Sequence, residues 1–196
     1  MLPRAQQALL ILLALGIPLS AWGALYPENT WLQVGPVAVF LLTAWAALRR
    51  WPLSTPTVAC LALFLAVHLL AARWSYSFVP YREWLGWAGE SRNHFDRLVH
   101  FLFGLLWTLP LVEAARRYAG LPRGKALLFG FLAVQAVSAL YEIFEWSLAL
   151  MMAPESAEAY NGQQGDGFDA QKDMALALGG NLLASLALSF TARSRR

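Results

Sequence analysis

Asp96 and His100 stand four residues apart in Asn93-His94-Phe95-Asp96-Arg97-Leu98-Val99-His100-Phe101, so a helix places both on one face. Glu142 and Glu145, three apart in Tyr141-Glu142-Ile143-Phe144-Glu145-Trp146, share a face in the same way. Asp166, Asp169 and Asp173 follow in the glycine-rich stretch 160–173, and a helix starting near Asp169 would align Asp169 with Asp173. Carboxylates and imidazole at these spacings on separate helices are how bundles hold carboxylate-bridged metal ions. An oxygen-rich set with His suits a divalent Mn, Fe, Mg or Zn ion. Such an ion activates water or polarises a phosphate or carbonyl. Without a metal, the same groups suit acid–base chemistry or proton-coupled transport. A third reading is a structural network in which Arg92, Arg97 and Lys172 pair with the carboxylates. Residue types leave all three open.

Glu142 and Glu145 need partners in any reading, because like charges on one face repel. The sequence offers Arg97 and Lys172 as cations and His100 and Asn181 as donors. Gln135 and Ser138 continue the Glu142/Glu145 face inward.

The elements that must position these residues read as membrane spans. The chain has 196 residues, 58% hydrophobic and 14% charged, with a mean hydropathy of +0.47. An ordinary soluble domain carries about 25% charged residues. Six apolar segments can be drawn, at about 6–25, 31–48, 54–73, 95–115, 124–150 and 173–192. Each approaches or exceeds the roughly 20 residues needed to cross the hydrocarbon as helix. No period-two pattern points to a barrel. The expectation is an all-α integral membrane protein, residues 1–196 forming one six-span domain. A signal peptide is the competing reading of the N-terminus, with Arg4 before an apolar run and Ala21-Trp22-Gly23 near a cleavage point. An uncleaved first span fits better, because a second span follows at once.

Charge sets the expected topology. Arg4, Arg49-Arg50, the group Arg116, Arg117, Arg123 and Lys125, and the tail Arg193-Ser194-Arg195-Arg196 all fall at one set of span ends. By the positive-inside rule those ends and both termini are cytoplasmic. The 74–94 and 153–172 connections then face outward, as does the acidic cluster. Arg82 and Arg92 beside Glu83 and Glu90 blur the rule in the first of these. The net charge of +3 does not imply nucleic acid, since the basic residues flank spans. The single Cys60 excludes an intrachain disulfide and argues against a cysteine metal cluster.

Other features have plainer readings. Trp74, Tyr76, Phe78, Tyr81, Trp84 and Trp87 suit an interfacial segment at headgroup depth, or a lid over the site. His68, alone on the third span, reads as an interhelical donor. Gly162, Gly165 and Gly167 lack a phosphate-cradling pattern and read as turns and close backbone approach. Gly179-Gly180 reads as close helix packing.

Three blocks together carry a resemblance: His94 to Phe101, Tyr141 to Trp146, and Gly165-Asp166-Gly167-Phe168-Asp169-Ala170-Gln171-Lys172-Asp173-Met174. In this order they resemble the YjdF family of bacterial inner-membrane proteins over nearly the whole chain, although that family usually has Thr where Ala170 stands. The resemblance implies a multi-pass inner-membrane location and six spans, and no assigned activity. A more distant similarity is to VanZ-like membrane proteins, through Asp96, Arg97, His100, Phe101, Glu142 or Glu145, Asp173 and Asn181. Here Arg97 replaces their Lys and the acidic loop is longer. That similarity implies envelope biology at the outer leaflet. The leading functional expectation is an envelope enzyme or binding protein acting on a lipid or lipid-linked group, with Asp96, His100, Glu142, Glu145, Asp166, Asp169 and Asp173 as its site.

Overall fold

A computed structural model describes residues 1–87 and 92–190. Glu90, residues 191–192 of the expected sixth span and the basic tail Arg193-Ser194-Arg195-Arg196 lie outside the described residues. Six helices are long and apolar enough to cross a membrane: α1 (Arg4–Ala21), α2 (Pro27–Arg50), α3 (Thr55–Arg73), α5 (Phe95–Tyr118), α6 (Arg123–Ala149) and α8 (Asp169–Phe190). Two short helices, α4 (Tyr81–Leu85) and α7 (Pro154–Asn161), sit in the connections. No strand occurs among the described residues.

Some helix starts run further into polar sequence than hydropathy indicates, whereas α1 ends at Ala21, short of the expected residue 25. The sixth span begins at Asp169, four residues before the apolar onset at Asp173. The second begins at Pro27, with Pro at the first helical turn and Glu28 favourably placed at the positive end of the helix dipole. Ser54 opens α3 as a side-chain cap, its Oγ accepting from the Thr57 amide at 3.4 Å. Glu113 accepts the Ser54 amide at 2.8 Å and the Ser54 hydroxyl at 2.6 Å, tying that helix start to α5.

Helix α5 is the axis of the bundle. It packs against α3, α6 and α8, and its pairing with α8 is the most extensive contact between elements. Two glycines make that closeness possible. A Cβ on Gly104 would stand 1.9 Å from the Ala177 carbonyl oxygen, and one on Gly180 would stand 2.1 Å from that of Phe101. Small residues that bring backbones together are the usual means of helix association in lipid. Gly179, by contrast, faces open space, so Gly180 alone of the Gly179-Gly180 pair is the packing glycine. Helices α1, α2 and α3 form a second apolar core around Leu13, Val34, Val37, Leu65 and Leu69.

Hydrogen bonds tie the helices together at both ends. At one end, the amide of Gln6 donates to the Leu53 carbonyl at 2.9 Å, Arg117 to that of Pro52 at 2.8 Å, and Arg123 to that of Leu188. This end carries Arg4, Arg49, Arg50, Arg116, Arg117, Arg123 and Lys125 and is called the basic end below. At the other end, Leu25 donates to the Arg73 carbonyl at 3.0 Å and Asn29 to that of Ser156 at 3.2 Å. The carboxylate-rich segments meet there.

Candidate functional site

Three helix ends converge on this second pole. The first turns of α5 supply Asp96 and His100, the last turns of α6 supply Glu142 and Glu145, and the start of α8 supplies Asp169 and Asp173. The residues at i and i+3 or i+4 face inward from each helix, as their spacing dictates. Asp96, His100, Glu142, Glu145 and Asp173 are each no more than 9% exposed.

His100 sits between two acidic groups. Its Nε2 is 3.6 Å from Asp96 Oδ1 and its Nδ1 is 3.5 Å from Glu142 Oε1. Asp96, His100 and Asp173 offer ligand atoms that all lie within 4.8 Å of one another, and so do His100, Glu142 and Glu145. The imidazole is therefore common to both sets of donors. Buried Asp173 Oδ1 has no hydrogen-bond partner among the described residues, and Glu142 Oε1 has only the 3.5 Å approach of His100. Among the described residues, no Lys or Arg ion pair reaches Asp96, Asp173, Glu142 or Glu145. Four carboxylates in one buried pocket must be balanced by protons or by a cation.

The other two carboxylates in the predicted set are answered differently. Arg97 donates to Asp166 at 2.7 Å and to Asp169 at 3.3 Å, Lys172 donates to Asp166 at 2.5 Å, and Arg92 donates to Asp169. These three cations form a rim with Asp166 and Asp169 above the inner cluster. Neither aspartate belongs to a donor set within 4.8 Å. Arg97 and Lys172, expected from the sequence as partners for Glu142 and Glu145, thus serve the rim instead. Asn181 is also placed differently from expectation. Its amide donates to the Phe131 carbonyl and its oxygen accepts from Thr108, both at 2.9 Å, so it joins α5, α6 and α8 deeper in the bundle.

The rim is closed by the stretch 160–169. The side-chain amide of Gln164 exchanges two bonds with the Asn93 backbone, at 2.7 and 2.9 Å. Gly162 caps α7 in the left-handed region at φ 71°. A Cβ there would stand 3.1 Å from Ser77 Oγ and 3.5 Å from Asp96 Oδ2. Gly162 thus lets the backbone cover Asp96 closely.

Residues 5–194 match the family described as predicted membrane protein (DUF2238). The inner membrane protein YjdF of Escherichia coli (strain K12) is 34% identical over 167 residues, which cover 84% of this chain and 79% of that one. The chain belongs to this family. No solved structure matches it. The YjdF relationship and the six spans make it a multi-pass bacterial inner-membrane protein, with the lipid bilayer as its surroundings.

Two further side chains beside this cluster were not among the expected site residues, although Tyr76 stood in the aromatic segment read as interfacial or as a lid. Tyr76 and Tyr160 are buried beside the cluster, at 5% and 4% exposure. Burial and the charge of Glu145 push the Tyr160 hydroxyl up to about 12. Burial, with Asp96 and Glu145 nearby, raises Tyr76 well above the ordinary tyrosine range. Both therefore stay neutral hydrogen-bond donors at physiological pH. Tyr76 also bonds His68 Nδ1, while His68 Nε2 lies 3.0 Å from the Gln33 carbonyl, so both nitrogens of that imidazole are engaged. Helix α7, which presents Tyr160 and Asn161, was legible only in its punctuation, Pro154 at its start and Gly162 just past its end.

Proposed function

We propose that this protein binds a divalent metal ion in the inner cluster and uses it on a lipid or lipid-linked group at the outer leaflet. The observation that carries the reading is the shared imidazole: His100 lies in both donor sets, with carboxylates from three helices around it. Oxygen donors with one imidazole suit Mn, Fe, Mg or Zn. A divalent ion would also balance inner carboxylates that no Arg or Lys pairs with among the described residues. Bound there, it would polarise a phosphate or carbonyl, or activate water. The rim of Arg92, Arg97 and Lys172, three cations against Asp166 and Asp169, would leave net positive charge over the inner cluster, where it attracts an anionic headgroup. The outward assignment follows from the basic end, which the positive-inside rule makes cytoplasmic along with both termini.

Thermal unfolding of detergent-purified, chelator-treated protein tests the reading. Mn, Mg, Fe(II) or Zn added in turn should raise the unfolding temperature for at least one ion, and His100→Ala should abolish that response. No response to any of the four would remove the metal from the account.

A further inference from the structure

A groove of about 170 Å³ lies along α5 between α3 and α6, and His100 is among the residues that line it. Phe64, Val99, Phe103 and Val137 form its walls, and Ser138 and Tyr141 line it on α6. Helices α3 and α6 both pack on α5 and make at most marginal contact with each other, which leaves the groove between them. Val137, at 48% exposure, marks its mouth on the lipid-facing side.

The groove has a direction. His68, His100 and Tyr141 lie toward the acidic end, and Phe64, Phe103 and Val137 lie three or four residues deeper on the same helices. At 1.5 Å per residue that step is about 4.5–6 Å. Polar groups thus sit above apolar ones, the order in which a membrane lipid presents headgroup and chain. One polar atom of the lining is left over: Ser138 Oγ, on a residue 2% exposed, makes no hydrogen bond among the described residues. A buried hydroxyl facing an apolar groove calls for an acceptor from a ligand. His68 and Tyr76, which also line the groove, already bond one another.

We propose that this groove seats the ester-proximal part of one acyl chain of a glycerophospholipid, with the ester carbonyl accepting from Ser138, the headgroup reaching His100 and the inner carboxylates, and the rest of the chain running out into the bilayer. The substrate then enters sideways from the bilayer and not from the water above the rim. The inference rests on the reading of the inner cluster as the working site and adds the substrate class. A second cleft, between α1 and α3, gives the contrast. It is lined by Leu9, Leu12, Leu63, Leu70 and their neighbours, and its one hydroxyl, Ser20, already donates to the Leu69 carbonyl at 2.6 Å. No charged side chain lines that cleft, and the cation beside it, Arg73, already donates to the Leu19 carbonyl at 2.9 Å, so the cleft should take only boundary lipid.

Photolabelling in nanodiscs of phosphatidylethanolamine and phosphatidylglycerol tests the assignment, with a diazirine in the acyl chain of a phosphatidylethanolamine probe. Label mapped by mass spectrometry should concentrate on the peptides holding Phe103 and Val137 and should saturate with probe. Val137→Trp, a change at an exposed position that blocks the mouth, should reduce it severalfold, and Ser138→Ala should weaken it without blocking the groove. Label in the α1/α3 cleft should neither saturate nor respond to either change. Groove labelling that behaves like the cleft would overturn the proposal. So would displacement of the probe by a polyprenyl phosphate but not by unlabelled phosphatidylethanolamine. Metal content measured on the same samples separates the two ideas. Saturable groove labelling in a metal-free protein supports the chain seat and overturns the metal, whereas bound metal with cleft-like labelling does the reverse.

Discussion

His100 is the residue on which the site turns. Its two ring nitrogens face different carboxylates, and both donor sets need it. The rim residues have a separate task, and Asp166 allows that separation to be tested by pH. Bonding to Lys172, to the Phe168 amide and to Arg97 holds its carboxyl down at about 2. An unperturbed aspartate titrates near about 3.9. A group whose pKa is depressed by folding adds stability above its unfolded value and loses it as pH falls through the folded one. Asp166→Asn should therefore be less stable than wild type above about pH 4. The gap in unfolding temperature should close as pH falls toward about 2. Metal content should be unchanged at neutral pH, and loss of metal in this variant would move Asp166 into the inner cluster.

Residue types and spacing made much of this scale legible. Asp96 with His100, Glu142 with Glu145, and Asp169 with Asp173 share faces by arithmetic alone. The choice of partner was not legible, because three cations and six carboxylates within a few turns allow many pairings. Arg92 and Arg97 go to Asp166 and Asp169 because those residues start α8 and the turn before it, at the lip of the bundle. Glu142 and Glu145 lie below that lip, out of their reach.

At the scale of the element, the α5–α8 pair fixes how the two halves of the inner cluster meet. Asp96 and His100 come from one helix and Asp173 from the other, so their approach depends on the glycine contact one to two turns deeper. Gly104→Leu or Gly180→Leu would force side chains into backbone carbonyls. Overpacking of this kind costs about 1–3 kcal/mol, occasionally more. Both variants should unfold at lower temperature and bind metal less well, and melting curves with and without added Mn would read both effects. Gly179→Ala, whose Cβ meets nothing within 4 Å, should be neutral or slightly stabilising. The six spans were readable from hydropathy because lipid demands long apolar helices. Helix α7 was not, because its residues are polar; the start of α8 at Asp169, polar too, meets the condition under which Asp169 and Asp173 were expected to share a face. Asn181 was placed on the right helix but given the wrong neighbours, since only packing reveals that Thr108 and Phe131 reach it first.

For the whole molecule, orientation decides which substrates the site can meet. A periplasmic-active reporter fused after Lys172 should be active, and one fused after Arg117 should not. The opposite result would turn the cluster toward the cytoplasm and remove the outer-leaflet lipid from the account. Beneath the cluster, Gly104, Gly180 and the satisfied amide of Asn181 close the α5–α8 seam. The account accordingly predicts no proton or ion flux through the protein in liposomes. Flux dependent on Glu142 or Glu145 would favour the transport reading.

The most direct measurement is elemental analysis of the purified protein, wild type beside His100→Ala, Asp173→Ala and Asp166→Asn. Bound divalent metal is expected in wild type and Asp166→Asn, with a marked loss in Asp173→Ala and a complete loss in His100→Ala. Wild-type protein purified without chelators that holds no metal, or a His100→Ala variant that keeps it, would contradict the central claim.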